Sequence, residues 1–222
     1  MTKQRILPQT AWSSPQAWPP TKLSFTMLTA ALLIFGIGDG LMVLAALGST
    51  PWTVLAQGLA LQTAWPLAWT TFGISALVLL LWLPLQQRPG LGTVLNIIFI
   101  AAALGATVSL LEAPQNLWLR IIYCLIGILL VGTASAFYLT CYLGAGPRDG
   151  LMVGMCSHFG WPVGRVRTML EAAVCLIGWL MGGTVGIGTL LFAFGVGWVV
   201  QWTLLAIRRW AEVPLHQPQA AR

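Results

Sequence analysis

Apolar residues occur along the chain in six long runs that are separated by short polar connections. Each run is long enough to cross about 30 Å of hydrocarbon as an α-helix. The connections after the second and the fifth run are very short, so each joins an antiparallel pair of helices. The pattern predicts an all-α membrane protein with six transmembrane helices. The runs cover residues 25–47, 66–86, 91–111, 118–143, 163–183 and 186–207.

Two further apolar stretches are too short to span a membrane. They cover residues 51–63 and 147–159, and each begins at a proline. Proline suits the first turn of a helix, because the N–H group at that position has no partner within the helix. Each stretch would form a helix about 18 Å long, either re-entrant or lying flat at the interface. The turns that start these helices contain Gly48, Pro51, Gly144, Gly146 and Pro147.

The two halves of the chain are related by an internal repeat. Rare residues coincide without a gap when the sequence is compared with itself at an offset of 96 positions. This agreement indicates a duplication into a first repeat, 23–112, and a second repeat, 113–210. The flanking residues 1–22 and 211–222 are predicted to be flexible tails. The coinciding pairs include Gly36 and Gly132, Pro51 and Pro147, Gly58 and Gly154, and Trp65 and Trp161.

The number of spans in each repeat predicts how the repeats are oriented. Three spans per repeat place the second copy upside down, so the repeats are inverted. The basic residues give an independent indication, because they favour the cytoplasmic side of a membrane. With both termini in the cytoplasm, Arg120 lies near the outer side. The residues on or near the cytoplasmic side are then Lys3, Arg5, Lys22, Arg88, Arg148, Arg165, Arg167, Arg208 and Arg209.

Composition narrows the class of protein further. The chain is 58% hydrophobic and only 7% charged, whereas a soluble domain carries about 25% charged residues. The net charge of +6 does not indicate a nucleic-acid partner, because the basic residues form no stripe. The four cysteines and two histidines lack metal-ligand spacing, so neither a metal nor a cofactor is expected. The absence of a nucleophile–base pair argues against an enzyme.

The few charged residues near the spans are the candidates for a binding site. Arg148 and Asp149 begin the second short helix, whose free N–H groups favour an anion. Arg167 and Glu171 lie four residues apart in the fifth span, where a charge needs a partner from another element, and Asp149 is expected to pair with Arg167 or Arg165. The candidate substrate-binding residues are Arg148, Asp149, Arg167, Glu171, Asp39 and Trp52.

Each candidate also has a purely structural interpretation. Asp149 could cap its own helix, and Arg167 with Glu171 could belong to an interhelical ion-pair network. Asp39 stands among glycines at 36–40, which predicts an unwound point in the first span. There the carboxyl group either shapes the break or serves a proton- or cation-linked role.

Four motifs connect the chain to a known family. They are LGxGPRDGLM at 143–152, VRTxxE at 166–171, GWLxGGxVGxGT at 178–189 and RPGLGT at 88–93. With these motifs the chain resembles the YczE family of bacterial membrane proteins, which is grouped with YyaS and YitT. The family's first half tends to read LGxGPWD, whereas this chain has LGSTPWT at 47–53. The resemblance implies a multi-pass protein of the bacterial inner membrane.

These observations favour a small-solute transporter or permease-like carrier with a charged site at the repeat interface. The basic bias favours an anionic or zwitterionic small solute. The alternative is a non-transporting membrane factor that recruits or stabilises a membrane-associated enzyme or export assembly, with Arg165, Arg208 and Arg209 on its binding face. The lipid bilayer is a partner in either case, and a narrow six-helix bundle is compatible with a homodimer.

Overall fold

The computed structural model describes residues 7–15, 19–65 and 67–213, apart from the side chains of residues 67 and 68. The remaining residues of the two predicted tails, and Pro66 at the start of the second predicted span, lie outside the described residues. Within the described part the chain forms α-helices and no strands, and the two short helices have the predicted bounds. The helices are α1 (Lys22–Ala45), α2 (Pro51–Thr63), α3 (Leu67–Leu80), α4 (Leu91–Leu110), α5 (Leu117–Leu139), α6 (Pro147–Phe159), α7 (Val163–Leu180) and α8 (Ile187–Ala211).

Four of the described helices, α1, α4, α5 and α8, are long and apolar enough to cross a membrane. The other two predicted spans differ from them for separate reasons. Helix α3 has only 14 residues, because the chain continues from Leu81 to Gln86 as turns. Helix α7 has 18 residues and carries three charged side chains, those of Arg165, Arg167 and Glu171. Length and composition alone therefore identify four of the six predicted spans.

Helices α1 and α5 form the centre of the bundle and touch through glycines. A Cβ atom on Gly38 would lie 2.9 Å from the carbonyl oxygen of Gly127, and one on Gly127 would lie 2.7 Å from that of Gly38. Small residues let two helix backbones approach this closely. Helix α4 packs on α1, and α8 packs on α5. The two central helices thus form one unit with a flanking helix on each.

The first turn of α4 binds the loop that precedes α6. The Gly92 N–H group donates to the Leu143 carbonyl oxygen at 2.6 Å. The Thr93 hydroxyl donates to the Ala145 carbonyl oxygen at 2.7 Å and accepts from the Gly90 N–H group at 3.1 Å. Carbonyl groups of loop 140–146 therefore accept hydrogen bonds from α4, which is not one of the two helices that the loop connects. Non-helical backbone needs such partners wherever water is excluded.

The first turn of α8 binds the loop before α2 in the same way. The Gly188 N–H group donates to the Leu47 carbonyl oxygen at 2.8 Å, and the Thr189 hydroxyl donates to the Ser49 carbonyl oxygen at 2.7 Å. These four residues correspond to the four residues of the contact between α4 and loop 140–146 at an offset of 96 positions. Gly188 corresponds to Gly92, Thr189 to Thr93, Leu47 to Leu143, and Ser49 to Ala145. Each half of the chain thus supports the irregular loop of the other half.

Residues 7–15 are packed against the bundle, where sequence reasoning predicts a flexible tail. Leu7 is buried, and its carbonyl oxygen accepts a hydrogen bond from the Tyr142 hydroxyl at 2.6 Å. The Trp12 indole donates to the Thr140 hydroxyl at 2.9 Å. These partners follow α5 directly. The segment was missed because it is rich in proline and polar residues, while its partners lie about 130 residues further on in the chain.

We expect Gly90→Ala to destabilise the protein. The new methyl group would lie 2.4 Å from the Leu143 carbonyl oxygen, and such overpacking costs about 1–3 kcal/mol. Gly105→Ala is the matched control, because no atom lies within 4 Å of its added Cβ. Thermal unfolding in detergent, followed by tryptophan fluorescence, should give a lower midpoint for Gly90→Ala only. Equal midpoints for the two variants would show that the loop contact contributes no stability.

Candidate functional site

A cavity of about 60 Å³ lies between α1, α2, α6, α7 and α8. It is large enough for a few water molecules. The structure brings all six of the predicted substrate-binding residues to its wall, from four separate helices. The lining residues are Phe35, Asp39, Thr50, Trp52, Arg148, Asp149, Met152, Arg167, Leu170, Glu171 and Phe192.

The N-terminal turns of the two short helices meet at this cavity. Trp52 and Arg148 are the second residues of α2 and α6, and the guanidinium carbon of Arg148 lies 5.3 Å from the centre of the Trp52 ring. This is a cation–π contact. Neither helix has a side chain that caps its N-terminus. The partial positive charge of each helix start is therefore available to the cavity.

Arg167 and Asp149 form a buried ion pair in the cavity wall. The Arg167 Nη1–H group donates to Asp149 Oδ1 at 2.8 Å and to the Ser135 hydroxyl at 3.2 Å. The Tyr138 hydroxyl donates to the other oxygen of Asp149. Asp149 is 8% exposed and Arg167 is 5% exposed. Sequence analysis named Arg167 and Arg165 as possible partners of Asp149, and in the structure the partner is Arg167. The hydrogen bonds of this cluster connect α5, α6 and α7.

Glu171 is buried beside this pair and is only partly satisfied. Its side chain is 5% exposed and accepts a hydrogen bond from the Trp52 indole of α2. Its Oε2 atom, like Arg167 Nε, has no hydrogen-bond partner among the described residues. Arg167 and Glu171 share a face of α7, yet each bonds to another element. This agrees with the expectation that a charge at this depth needs a partner from outside its own helix.

Asp39 lines the cavity from an unbroken helix, so the predicted unwound point in the first span is wrong. Helix α1 continues through the glycines around Asp39 without a break. These glycines instead allow close packing. Added Cβ atoms would lie 2.6 Å from Ala103 at Gly36 and 2.6 Å from Thr107 at Gly40. The glycine cluster that suggested an irregular backbone thus marks the surface on which α4 and α5 pack.

Charge around the cavity is nearly balanced. Arg148 interacts electrostatically with all three carboxylates, those of Glu171, Asp39 and Asp149, yet it forms no ion pair among the described residues. Three carboxylates around one cavity raise the question of a metal ion. Within the described ranges, no group of three or more His, Cys, Asp or Glu side chains is placed to hold one. The cavity thus combines two guanidinium groups, three carboxylates and two helix starts.

Sequence reasoning missed Tyr138, Ser135 and Thr50. Tyr138 and Ser135 lie in the apolar run of α5, and neither carries a charge that would distinguish it from other polar residues in the spans. Ser135 is nevertheless the counterpart of Asp39 at the 96-residue offset. The correspondence with Asp39 is the one feature of the sequence that could have identified Ser135 as a residue near the site.

Arg167→Gln should destabilise the protein strongly. It would leave Asp149 buried without its cation, and removing one partner of a buried ion pair costs about 3–5 kcal/mol. The control is Glu212→Gln, which removes one partner of the half-exposed Arg208–Glu212 pair and should change stability by less than about 1 kcal/mol. Chemical denaturation in mixed micelles would measure both. The double variant Arg167→Gln with Asp149→Asn should recover part of the loss, and strict additivity would argue against direct coupling.

Comparisons with known proteins place the chain in a family. The model of the "Family of unknown function (DUF6198)" matches residues 22–204. An "Uncharacterized protein" of Haemophilus influenzae is 53% identical over 215 residues, which cover 97% of this chain and 99% of that protein. The "Uncharacterized membrane protein YczE" of Bacillus subtilis is 30% identical over 184 residues, which cover 82% of this chain and 86% of that protein. No solved structure matches the chain. The chain therefore belongs to the DUF6198 family and is related to YczE, as its sequence motifs predict.

Proposed function

We propose that this protein is a small-solute transporter of the bacterial inner membrane and that the cavity is its solute site. One observation carries the proposal: buried charged groups with unsatisfied hydrogen-bonding atoms surround a cavity at which two short helices begin. Short helices whose N-termini point at a substrate between repeated units are typical of secondary transporters. The solute is anionic or zwitterionic in this proposal, because helix starts and arginines attract a carboxylate or phosphate.

The proposed architecture has six spans in two inverted repeats. In each repeat a long helix is followed by a short helix and two further spans. The reciprocal bonds between helix starts and loops support this arrangement, because the Gly92–Leu143 contact recurs as Gly188–Leu47. With three spans in each repeat, the two copies lie in the membrane in opposite orientations. The name of the Bacillus subtilis relative, which calls it a membrane protein, agrees with a membrane location and gives no number of spans.

In this architecture the short helices are re-entrant. The loops before α2 and α6 follow spans that end at opposite membrane surfaces, which are separated by about 30 Å of hydrocarbon. Yet Trp52 and Arg148, at the starts of these helices, are in contact. Two helices lying flat on opposite surfaces could not meet in this way. Both N-termini therefore reach the middle of the membrane, where unpaired backbone groups are tolerated only beside a cavity or within protein.

Single cysteines should report this topology. In a variant that lacks the four native cysteines, which are all buried thiols, Thr63→Cys and Phe159→Cys mark the ends of α2 and α6. We expect a membrane-impermeant maleimide to label Thr63→Cys in intact spheroplasts and Phe159→Cys only in inside-out vesicles. The orientation follows from the arginines on the cytoplasmic side. Labelling of both positions from the same side would contradict the inverted repeat.

Uptake into proteoliposomes tests transport directly. Purified protein would be assayed with a panel of radiolabelled small carboxylates, phosphates and amino acids, and at least one should accumulate above protein-free vesicles. Glu171→Gln should remove most of that uptake, at least tenfold, because Glu171 carries an unsatisfied oxygen at the cavity. The matched control is Glu112→Gln on the exposed connection before α5.

Two results would contradict the proposal. One is the absence of uptake for every solute in the panel. The other is equal uptake by Glu171→Gln and the unmodified protein. Either result, together with recovery of a bound enzyme or export component by crosslinking at the cytoplasmic face, would favour the non-transporting membrane factor.

A further inference from the structure

We infer that the solute is a small zwitterion, with a carboxylate at one end and an ammonium group that carries N–H bonds at the other. This inference rests on the proposed function and narrows its substrate class. It excludes simple anions, simple cations and quaternary ammonium compounds as the main solute. Three features of the cavity support it: the kinds of unsatisfied atoms, the sum of the charges and the state of Arg148.

Two residues that line the cavity each have a buried polar atom without a hydrogen-bond partner in the described part of the chain, and one of these atoms is an acceptor and the other a donor. Glu171 Oε2 is an acceptor and Arg167 Nε–H is a donor, and neither has a partner among the described residues. Both side chains line the cavity and are 5% exposed. Buried polar atoms of this kind are nearly always partnered in folded proteins. Because the Glu171 carboxylate and the Arg167 guanidinium group belong to the lining of the cavity, a solute there meets an acceptor group and a donor group, whereas a simple anion offers only acceptors.

With all three carboxyl groups ionised, the charge sum favours a solute with no net charge. Asp39, Asp149 and Glu171 carry three formal negative charges, and Arg148 and Arg167 carry two positive ones. The two helix starts each add about half a positive charge, so the whole site is close to neutral. A simple anion or cation would leave one uncompensated charge in a region where this is expensive. A zwitterion leaves the balance unchanged.

Arg148 provides the carboxylate end of the site. Its guanidinium carbon lies 5.3 Å from the centre of the Trp52 ring, and its planar group carries five N–H donors. It forms no ion pair among the described residues, and the starts of α2 and α6 lie beside it. A planar guanidinium group binds a carboxylate through two parallel hydrogen bonds. The ammonium end of the solute then donates to the Glu171 carboxylate, which lines the same cavity.

A matched set of small molecules tests this inference on the purified full-length protein. The probes are glycine and β-alanine as zwitterions, acetate as the anion, methylammonium as the cation and glycine betaine as a zwitterion without N–H bonds. Isothermal titration calorimetry at neutral pH should show binding of a zwitterion with N–H bonds at least tenfold tighter than that of the other three probes. A cavity of about 60 Å³ favours probes of this size.

Two variants assign the two ends of the solute. Glu171→Gln should weaken zwitterion binding at least tenfold while leaving the weak acetate binding unchanged. Arg148→Gln should weaken zwitterion and acetate binding alike. Glu112→Gln should change neither. Thermal unfolding of each variant shows whether it is folded. If Glu171→Gln does not fold, Asp39→Asn replaces it, because Asp39 is the other carboxylate of the cavity lining that forms no ion pair among the described residues.

The outcomes separate this inference from the proposed function. Acetate or methylammonium binding as tightly as the zwitterions overturns the inference and leaves a transporter of anions or cations. The inference is also overturned if the solute accumulated in the proteoliposome panel lacks either a carboxylate or an N–H-bearing cation. If no probe binds and no solute is accumulated, the proposed function fails as well.

Discussion

The fold depends on how two stretches of non-helical backbone find hydrogen-bond partners. Loops 46–50 and 140–146 leave the helical path, so their carbonyl groups need donors from elsewhere. Where the bilayer excludes water, these donors must come from the protein, because each unmet group there costs several kcal/mol. The first turns of α8 and α4 supply them, because an N-terminal turn has N–H groups to spare. This exchange lets both loops turn back into the bundle and start a short helix at its centre.

The site arises because a nearly symmetric framework carries an asymmetric set of side chains. The reciprocal loop contacts use glycine and threonine in both halves, at positions 96 residues apart. The charged residues do not follow that symmetry, since Trp52 corresponds to Arg148 and Ser75 corresponds to Glu171. The first half thus contributes an aromatic surface and one carboxylate, while the second contributes the ion pair and the unsatisfied glutamate. The framework positions two helix starts, and the departures from symmetry determine what they can bind.

The sequence predicted the bounds of the short helices, and the candidate residues that it singled out all line one cavity in the structure, for identifiable reasons. Prolines mark where α2 and α6 begin. Charged residues are rare in this chain, so the few that lie within apolar runs were expected to pair with one another. The continuity of α1 was predicted wrongly, because glycine signals both irregular backbone and close helix packing. The docking of residues 7–15 and the bond from Tyr138 to Asp149 were missed because they depend on tertiary contacts. Local patterns do not encode such contacts.

The exchange of hydrogen bonds between the halves also has a consequence for biogenesis. The Leu47 carbonyl group receives its donor from Gly188, which the ribosome adds about 140 residues later, or roughly 7–28 s at ordinary rates of synthesis. During that interval the loop needs water, an insertase or a temporary partner at the edge of the bilayer. The first half is therefore not a finished folding unit when it leaves the ribosome. The native hydrogen bond of the Leu47 carbonyl group can form only after the start of α8 has been synthesised.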